Sequence, residues 1–474
     1  MSNRSALYLL AVPLLVVIAI FVWVDQPNVQ VNSAWASVPQ KAPHVDHTDI
    51  MAGTYDTPQA VTARCLECHE EAETQVMHSS HWTWESDPVE MPGRSEPVVA
   101  GKKNVINNFC IGITGNWSGC SSCHAGYGWT DNDFDFSDGS NIDCLVCHDQ
   151  SGTYVKKSGG LPDPSVDLEA VAQSVAYSDR DNCGGCHFLG GGGDAVKHGD
   201  LDSSLYLPDE SVDVHMGRYD FVCTDCHTTE DHDISGKSIS VSLDNDNQVY
   251  CTDCHEPLPH EDFRLNEHTD TVACQTCHVP EVAVRLATKT HWDWSTAGDD
   301  TREENVHEYL KIKGSFEYEK NLKPTYGWYN GLANRYLYGD PINENGPTVL
   351  NLPKGDINDA SAKIWPFKVH VAEQPFDTEY RYLLQPKTVG EYWVNFDWNA
   401  AFEAGQALLG LPYSGNYEFT ETEMYWPLTH MVTPKNAALT CANCHSDEGI
   451  LDWQALGYPG DPLNWGGREL GGAQ

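Results

Sequence analysis

The feature that most constrains this chain is a five-residue pattern, Cys-x-x-Cys-His, which occurs eight times in 474 residues. Two thiols at this spacing attach a c-type haem covalently, and the histidine that follows can reach its iron. A zinc knuckle or a redox disulfide would explain the cysteine pairs but not the histidine after every pair. We therefore expect eight covalently bound haem c groups. The attaching cysteines are Cys65, Cys68, Cys120, Cys123, Cys144, Cys147, Cys183, Cys186, Cys223, Cys226, Cys251, Cys254, Cys274, Cys277, Cys441 and Cys444.

The number of histidines outside the motifs limits how many haems can have two histidine ligands. The chain has 21 histidines, and 13 of them lie outside the motifs. Setting aside His44 and His47 as linker residues leaves 11, enough for seven or eight bis-histidine haems. Such haems only carry electrons, whereas a catalytic haem keeps one iron position open. The expected iron ligands within motifs are His69, His148, His187, His227, His255, His278 and His445. The distal candidates are His78, His81, His198, His215, His232, His260, His268, His291, His370 and His430.

Motif spacing guides the prediction of the fold. Six motifs crowd into residues 120–278, which leaves room for short helices and loops. We predict a mainly α chain with much irregular loop structure, in which stacked haems form the core. The haem domain would span 63–474, with a haem-dense part at 63–278, an aromatic-rich part without motifs at 279–440, and the last haem and tail at 441–474. The aromatic rings would cover the haem stack.

The N-terminus predicts export, which c-type haem attachment also requires. Arg4 precedes an uncharged, mostly apolar stretch at residues 6–24. Ala34 and Ala36 give a small-x-small cleavage pattern, but the apolar run is also long enough to remain as an anchor. Residues 1–36 would be this signal or anchor, and 37–62 a linker. Either way the haem domain would be periplasmic, with membrane contact only through the N-terminal segment if it stays uncleaved.

Charge restricts the possible partners. The formal net charge is −41, from 28 basic and 69 acidic side chains. Nucleic acid and anionic membrane surfaces are therefore not expected to bind. A small inorganic anion could be a substrate only if its pocket is locally basic.

Two irregularities point to the second haem site. Cys110 is the one cysteine outside the motifs, and it lies ten residues before Cys120. An odd cysteine in an exported chain can be reactive, can pair between molecules, or can be a buried, inert thiol. Four consecutive glycines at 190–193, whose backbone can approach a porphyrin closely, precede Lys197 and His198.

The motif layout, the motif-free aromatic segment and four short stretches together resemble the octahaem tetrathionate reductase family of periplasmic cytochromes. The similarity covers nearly everything after residue 60, and its four stretches are 107–111, 143–149, 190–200 and 424–427. In that family, one haem is ligated by a lysine from elsewhere in the chain instead of its motif histidine. A cysteine lies close to the same haem.

The resemblance implies specific roles at the haem attached through Cys120 and Cys123. Lys197 would be the iron ligand, Cys110 the nearby thiol, and His124 a hydrogen-bonding group released from iron. Lys156 and Lys157 are the alternatives for the lysine. A bound amine must be deprotonated, which requires burial and nearby positive charge.

The function implied is reduction of tetrathionate to thiosulfate, with the other seven haems relaying electrons from a periplasmic or membrane-bound donor. Cations would help to cleave the dianion, and the candidates are Lys102, Lys103, Lys156, Lys157 and Arg218. The alternatives are a nitrite or hydroxylamine reductase, and a non-catalytic electron conduit with eight bis-histidine haems.

Overall fold

The computed structural model describes residues 37–91, 93–239 and 247–468, so the predicted signal or anchor at 1–36 lies outside the described residues. One compact unit comprises Lys41–Val249 and His260–Gln474. A second comprises, among the described residues, 37–40 and Tyr250–Pro259 and contains the sixth motif, in which Cys251–Asp253 form a 3-10 turn. Within the described ranges, no helix has both the length and the apolar character that crossing a membrane requires.

The helices are short, and several of them carry the motifs. In Arg180–His187, the Asp179 carboxylate accepts the N–H groups of Asp181 and Asn182, which caps the helix that presents Cys183. The helices of the described ranges, α1 to α15, are Pro58–Leu66, Ala72–His78, Ser80–Thr83, Trp117–Cys120, Leu145–His148, Leu168–Gln173, Arg180–His187, Val214–Tyr219, Cys223–Cys226, Phe263–Glu267, Cys274–His278, Trp393–Asn395, Trp398–Leu409, Cys441–Cys444 and Pro462–Trp465. Single 3-10 turns include Ser121–Cys123, which continues α4 through the second motif.

The prediction of a mainly α chain is wrong. The strands β1 to β9 are Thr229–Glu230, Asp233–Ile234, Thr288–Asp293, Tyr309–Leu310, Gly314–Glu319, Thr325–Tyr329, Thr348–Val349, Lys363–Asp377 and Tyr417–Pro427. β1 and β2 form a separate hairpin, and the other seven form one mixed sheet in the order β4-β5-β3-β8-β9-β7, with β6 also paired to β8. The spacing argument concerned the haem-dense part, whereas this sheet is built by the segment without motifs.

Strand β8 is the centre of the sheet, and its sequence explains why it forms. Buried and less buried residues alternate along much of Lys363–Asp377, which is the period of a strand. Its aromatic and β-branched residues also favour an extended backbone. It runs parallel to β3 and antiparallel to β9, and its pairing with β9 extends from Phe367 to Asp377.

One face of this sheet lies against the loop that precedes the second motif. Lys368 pairs with Trp426 and His370 with Met424, and directly paired residues of antiparallel strands project on the same side. On this side of the sheet, Met424 and Trp426 pack in a buried cluster with Phe109. The sheet therefore supplies one wall of the region around Cys110 and Cys120.

Candidate haem sites and active site

Cysteines of different motifs lie next to one another. Thiols of separate motifs lie close enough to shift one another's pKa: Cys144 lowers the pKa of Cys65, Cys186 lowers that of Cys123, and Cys223 raises that of Cys183. The attachment points of these motifs are therefore adjacent in the fold. This arrangement suits a protein in which electrons pass between neighbouring haems.

Five motif histidines each face a second histidine across a gap. The ring centroids are 6.0–6.4 Å apart, in the pairs His69 with His47, His187 with His81, His227 with His430, His278 with His260, and His445 with His268. Two metal–imidazole bonds of about 2 Å each, together with the ring radii, span a similar distance. The residues thus fit iron held between two imidazoles, as in a bis-histidine haem.

Hydrogen bonds orient several of these rings for metal binding. The Nδ1 atom lies 2.7 Å from Ser235 O in His227, 2.7 Å from Arg264 O in His268, and 2.6 Å from an Asp461 carboxylate oxygen in His445. A proton on Nδ1 leaves the lone pair of Nε2 for a metal. The motif histidine His148 follows the same pattern, with Nδ1 2.9 Å from Ala176 O.

The facing pairs include four of the distal histidines predicted from the sequence and one histidine that was not predicted. His81, His260, His268 and His430 were predicted and take part. His47 was set aside as a linker residue, yet its ring stacks opposite His69. Its position shortly before the first motif was the signal that could have identified it.

The remaining distal candidates have varied surroundings, and their ligation stays a prediction. His232 donates its Nδ1–H to Gln75 Oε1 at 2.9 Å, and burial, followed by nearby charge from His148, lowers its pKa. His78 lies 2.6 Å from Thr74 O, and His215 lies 3.8 Å from Asp213. His198 packs on Trp426 with ring centroids 4.8 Å apart, His291 lies on β3, and His370 is buried on β8 with both ring nitrogens unpaired.

His124, the histidine of the second motif, has the opposite arrangement. Its Nε2–H donates to Trp82 O at 2.7 Å, and its buried Nδ1 has no hydrogen-bond partner. The ring is fully buried inside an aromatic cage with centroid distances of 5.0–5.8 Å. Burial, with further help from the charges of Lys156 and Lys102, lowers the pKa of His124 to about 3. The cage consists of Trp82, Trp84, Trp129, Phe134 and Phe136.

Lys197 lies beside the same motif. Its Nζ is 5.0 Å from the Trp426 ring centroid and 5.6 Å from that of Phe109. Burial, and then the positive charge of Lys102, lower the pKa of the Lys197 amine to about 7, while Cys123 opposes this shift. The two conditions for an amine ligand, burial and nearby positive charge, are both present. Ligation of iron by Lys197 stays a prediction.

The alternative lysines are engaged elsewhere. Lys156 forms a 2.8 Å ion pair with Asp143, both side chains being buried, and donates to His124 O at 2.5 Å. Lys157 is exposed and lies 3.5 Å from Asp163. Both lysines line a cleft of about 310 Å³ that borders the second motif.

Cys110 lies between the second motif and the sheet. Its N–H donates to Asn107 Oδ1 at 2.8 Å, and its carbonyl accepts the indole N–H of Trp294 at 3.2 Å. Its thiol is close enough to Cys120 to contribute to raising the pKa of that thiol, although burial is the larger cause. The structure thus brings Cys110, Lys197 and the second motif into one region, as the resemblance implies.

Two basic residues of this region escaped the sequence analysis. Lys289 on β3 and Lys368 on β8 are each 2% exposed. Burial lowers the pKa of Lys368 to about 7, and that of Lys289 well below its ordinary value. No local motif marks them, because only the sheet brings them to the glycine-rich loop. Two of the expected cations, Lys103 and Arg218, instead pair with Glu85 and Glu210.

Cysteine pairs with facing imidazoles define the chain as a c-type cytochrome with several covalently bound haems. Comparisons agree. A family described as "Cytochrome c bacterial" matches residues 289–448, and one described as "Cytochrome c7 and related cytochrome c" matches residues 209–286. An uncharacterised protein of Archaeoglobus fulgidus is 26% identical over an alignment of 250 residues, and the match covers 42% of this chain and 82% of that protein.

A solved structure, the octahaem cytochrome c from Shewanella oneidensis, is 50% identical with a TM-score of 0.83. The alignment covers 88% of this chain and 98% of that one. The chain therefore belongs to the octahaem cytochromes c. Electron transfer is accordingly its general function.

Proposed function

We propose that this chain carries eight haems, works in the periplasm, and reduces tetrathionate to thiosulfate at the haem attached through Cys120 and Cys123, with Lys197 as an iron ligand. The observation that carries the proposal is the inverted hydrogen bonding of His124. A histidine whose Nε2 is bonded to a backbone carbonyl cannot offer that atom to iron, so a different ligand is needed. Lys197 is the buried amine beside the motif.

A haem at this site would supply electrons through an iron with one position open, while the other seven haems relay them from a periplasmic or membrane-bound donor. Reduction breaks the central sulfur–sulfur bond of tetrathionate, and each half takes one electron. One dianion thus becomes two dianions, and no proton is consumed. Because negative charge accumulates during cleavage, lysine side chains stabilise the transition state more than the bound substrate.

The residues around the site suit this task. The chain as a whole repels anions, with a net charge of −41, yet Lys102, Lys289 and Lys368 lie in the region around Lys197 and the second motif. His124 and its cage exclude water from one side of the second motif. Cys110 lies within electrostatic reach of both Cys120 and Lys289.

The test is Lys197→Ala in the full-length holoprotein. Loss of a group that acts at the reacting centre lowers kcat/KM for tetrathionate by about a hundredfold or more. Unchanged turnover would remove Lys197 from the site. Electron paramagnetic resonance of the wild-type protein gives a second test, since a spectrum with every haem low-spin and bis-histidine would contradict the proposal and favour a simple electron conduit.

The substrate is tested separately. Values of kcat/KM for tetrathionate, nitrite and hydroxylamine should be compared with the same electron donor. We expect tetrathionate to be preferred. A preference for nitrite or hydroxylamine would keep the site but change the reaction to nitrogen-oxide reduction.

A further inference from the structure

We propose that Lys289 binds the anionic group of the substrate and is a residue that sets the preference for anions at the second haem site. The location of the site rests on the function proposed above. The preference for anions over neutral molecules does not depend on which anion is reduced.

The position of Lys289 places it among the segments that build the site. Its backbone N–H donates to Ala195 O at 3.4 Å, two residues before Lys197 in the chain. Its amine interacts electrostatically with Cys110, and Cys110 does so with Cys120. Lys289 therefore connects strand β3 to the glycine-rich loop, and its amine lies near the second motif.

The surroundings of the amine contain positive charge and aromatic rings. Nζ lies 3.3 Å from the ring centroid of Trp292 and 4.5 Å from that of Phe316. Throughout the described part of the chain, no carboxylate or hydrogen-bond acceptor lies within bonding distance of this Nζ. Among its charged neighbours, Cys110 favours its protonated form, whereas Lys313 and Lys368 disfavour it.

A buried cation without a counterion is costly, and contact with an indole face compensates only part of that cost. An anion bound at the amine would balance its charge and accept its hydrogen bonds. The site is thus incomplete without a negatively charged ligand.

Lys368, a buried neighbour of Lys289, has a structural role instead. It is equally buried, but its Nζ donates to Val196 O at 3.0 Å, Lys197 O at 3.2 Å and Thr288 Oγ1 at 2.5 Å. All three donors of an ammonium group are used. Lys368 therefore fixes the loop that presents Lys197, whereas the donors of Lys289 are available to a ligand.

The experiment compares Lys289→Met with Lys320→Met in the holoprotein. Methionine keeps the apolar stem of the lysine and removes its charge, and Lys320 is an exposed residue just after β5, the strand paired to β3. We expect Lys289→Met to raise KM for tetrathionate about tenfold or more, the scale of a lost charged hydrogen bond. The rise should be smaller for nitrite, a monoanion, and about twofold or less for neutral hydroxylamine. Lys320→Met should leave all three within about twofold.

A charge-graded loss is the result that a merely structural role would not give. Equal losses for charged and neutral substrates, or no loss at all, would overturn the proposal. Lys289→Arg should retain most of the preference for anions, because it retains the charge.

Equilibrium binding separates this proposal from the reaction. Labelled thiosulfate in equilibrium dialysis should bind to wild-type and Lys320→Met proteins about tenfold or more tightly than to Lys289→Met. If tetrathionate is not reduced but this difference is found, the proposed reaction fails and the anion site stands. If Lys289→Met binds thiosulfate as wild type does, the anion site fails whatever the reaction. Lys289→Met should also unfold at the same or a higher temperature than wild type, since it replaces a buried amine that has no hydrogen-bond acceptor by an apolar side chain.

Discussion

The second motif and the five motifs with facing imidazoles carry the same local sequence pattern but place their histidines in opposite ways. At the paired sites, rings stand 6.0–6.4 Å from a partner imidazole, and where hydrogen bonds orient them Nδ1 is the bonded atom, as in His227 and His445. At the second motif, Nε2 of His124 is bonded and five aromatic rings enclose the imidazole. The difference teaches that the motif predicts attachment of a haem, whereas the surrounding fold decides whether its histidine can bind iron.

The largest expected effect comes from removing one histidine from each region. His81→Ala opens the pair with His187, so one haem per chain should become high-spin. His124→Gln keeps a side-chain N–H for Trp82 O and should add no high-spin haem. Quantitative electron paramagnetic resonance of the ferric protein measures both. A new high-spin signal in His124→Gln would show that His124 is an iron ligand, and the comparison would fail.

Disturbing the cage around His124 should lower the free energy of unfolding more than disturbing an exposed aromatic residue. Trp82 is 1% exposed, and its indole N–H donates to Phe136 O at 2.9 Å. Trp82→Ala should lower the free energy of unfolding by about 3–5 kcal/mol, the cost of a large buried cavity. Trp465→Ala is the control, because that side chain is 68% exposed and its loss should cost about 0.5 kcal/mol or less.

Denaturant titration followed by circular dichroism measures these differences. Absorption of the holoprotein gives a second readout, since opening the cage should change the second haem and leave the paired sites as they are. Equal destabilisation by Trp82→Ala and Trp465→Ala would mean that the cage contributes nothing specific.

How much could be predicted from sequence differs between these regions. The repeated motif is a short-range signal, so it predicted the attaching cysteines and identified the class of protein. Ring pairs such as His227 with His430 join residues about two hundred positions apart, and no local spacing could assign them. The sheet was missed because the expectation of short helices and loops, which came from the spacing of the haem-attachment motifs, was extended to a segment that has no motifs. Lys289 was missed with it, since only the pairing of β3 and β8 brings it to the site.

The buried ion pair behind the second motif gives the next smaller effect. Asp143 accepts from Lys156, Tyr127 and Tyr154 at 2.8, 2.9 and 3.0 Å, and Lys156 also bonds His124 O. Asp143→Asn leaves Lys156 buried without its counterion, so the free energy of unfolding should fall by about 3 kcal/mol.

A double-mutant cycle tests that cause. In the Asp143→Asn background, Lys156→Met should restore part of the loss, because the unpaired charge disappears. Additive losses would show that the pair does not act as a unit. In that case, the part of the lowering of the His124 pKa that is assigned to the charge of Lys156 would need another cause.

The smallest effects are expected at the exposed cations that sequence analysis proposed for the anion site. Lys157 and Arg218 have side chains 60% and 44% exposed, and each forms a surface ion pair, with Asp163 at 3.5 Å and Glu210 at 2.7 Å. Exposed pairs contribute about 0–1 kcal/mol and are screened over about 8 Å at physiological ionic strength. Lys157→Ala and Arg218→Ala should therefore change the free energy of unfolding by about 0.5 kcal/mol or less, and KM for tetrathionate by about twofold or less. A larger rise in KM for Lys157→Ala alone would mean that anions enter through the cleft beside the second motif, since Lys157 lines that cleft and Arg218 is not among its lining residues.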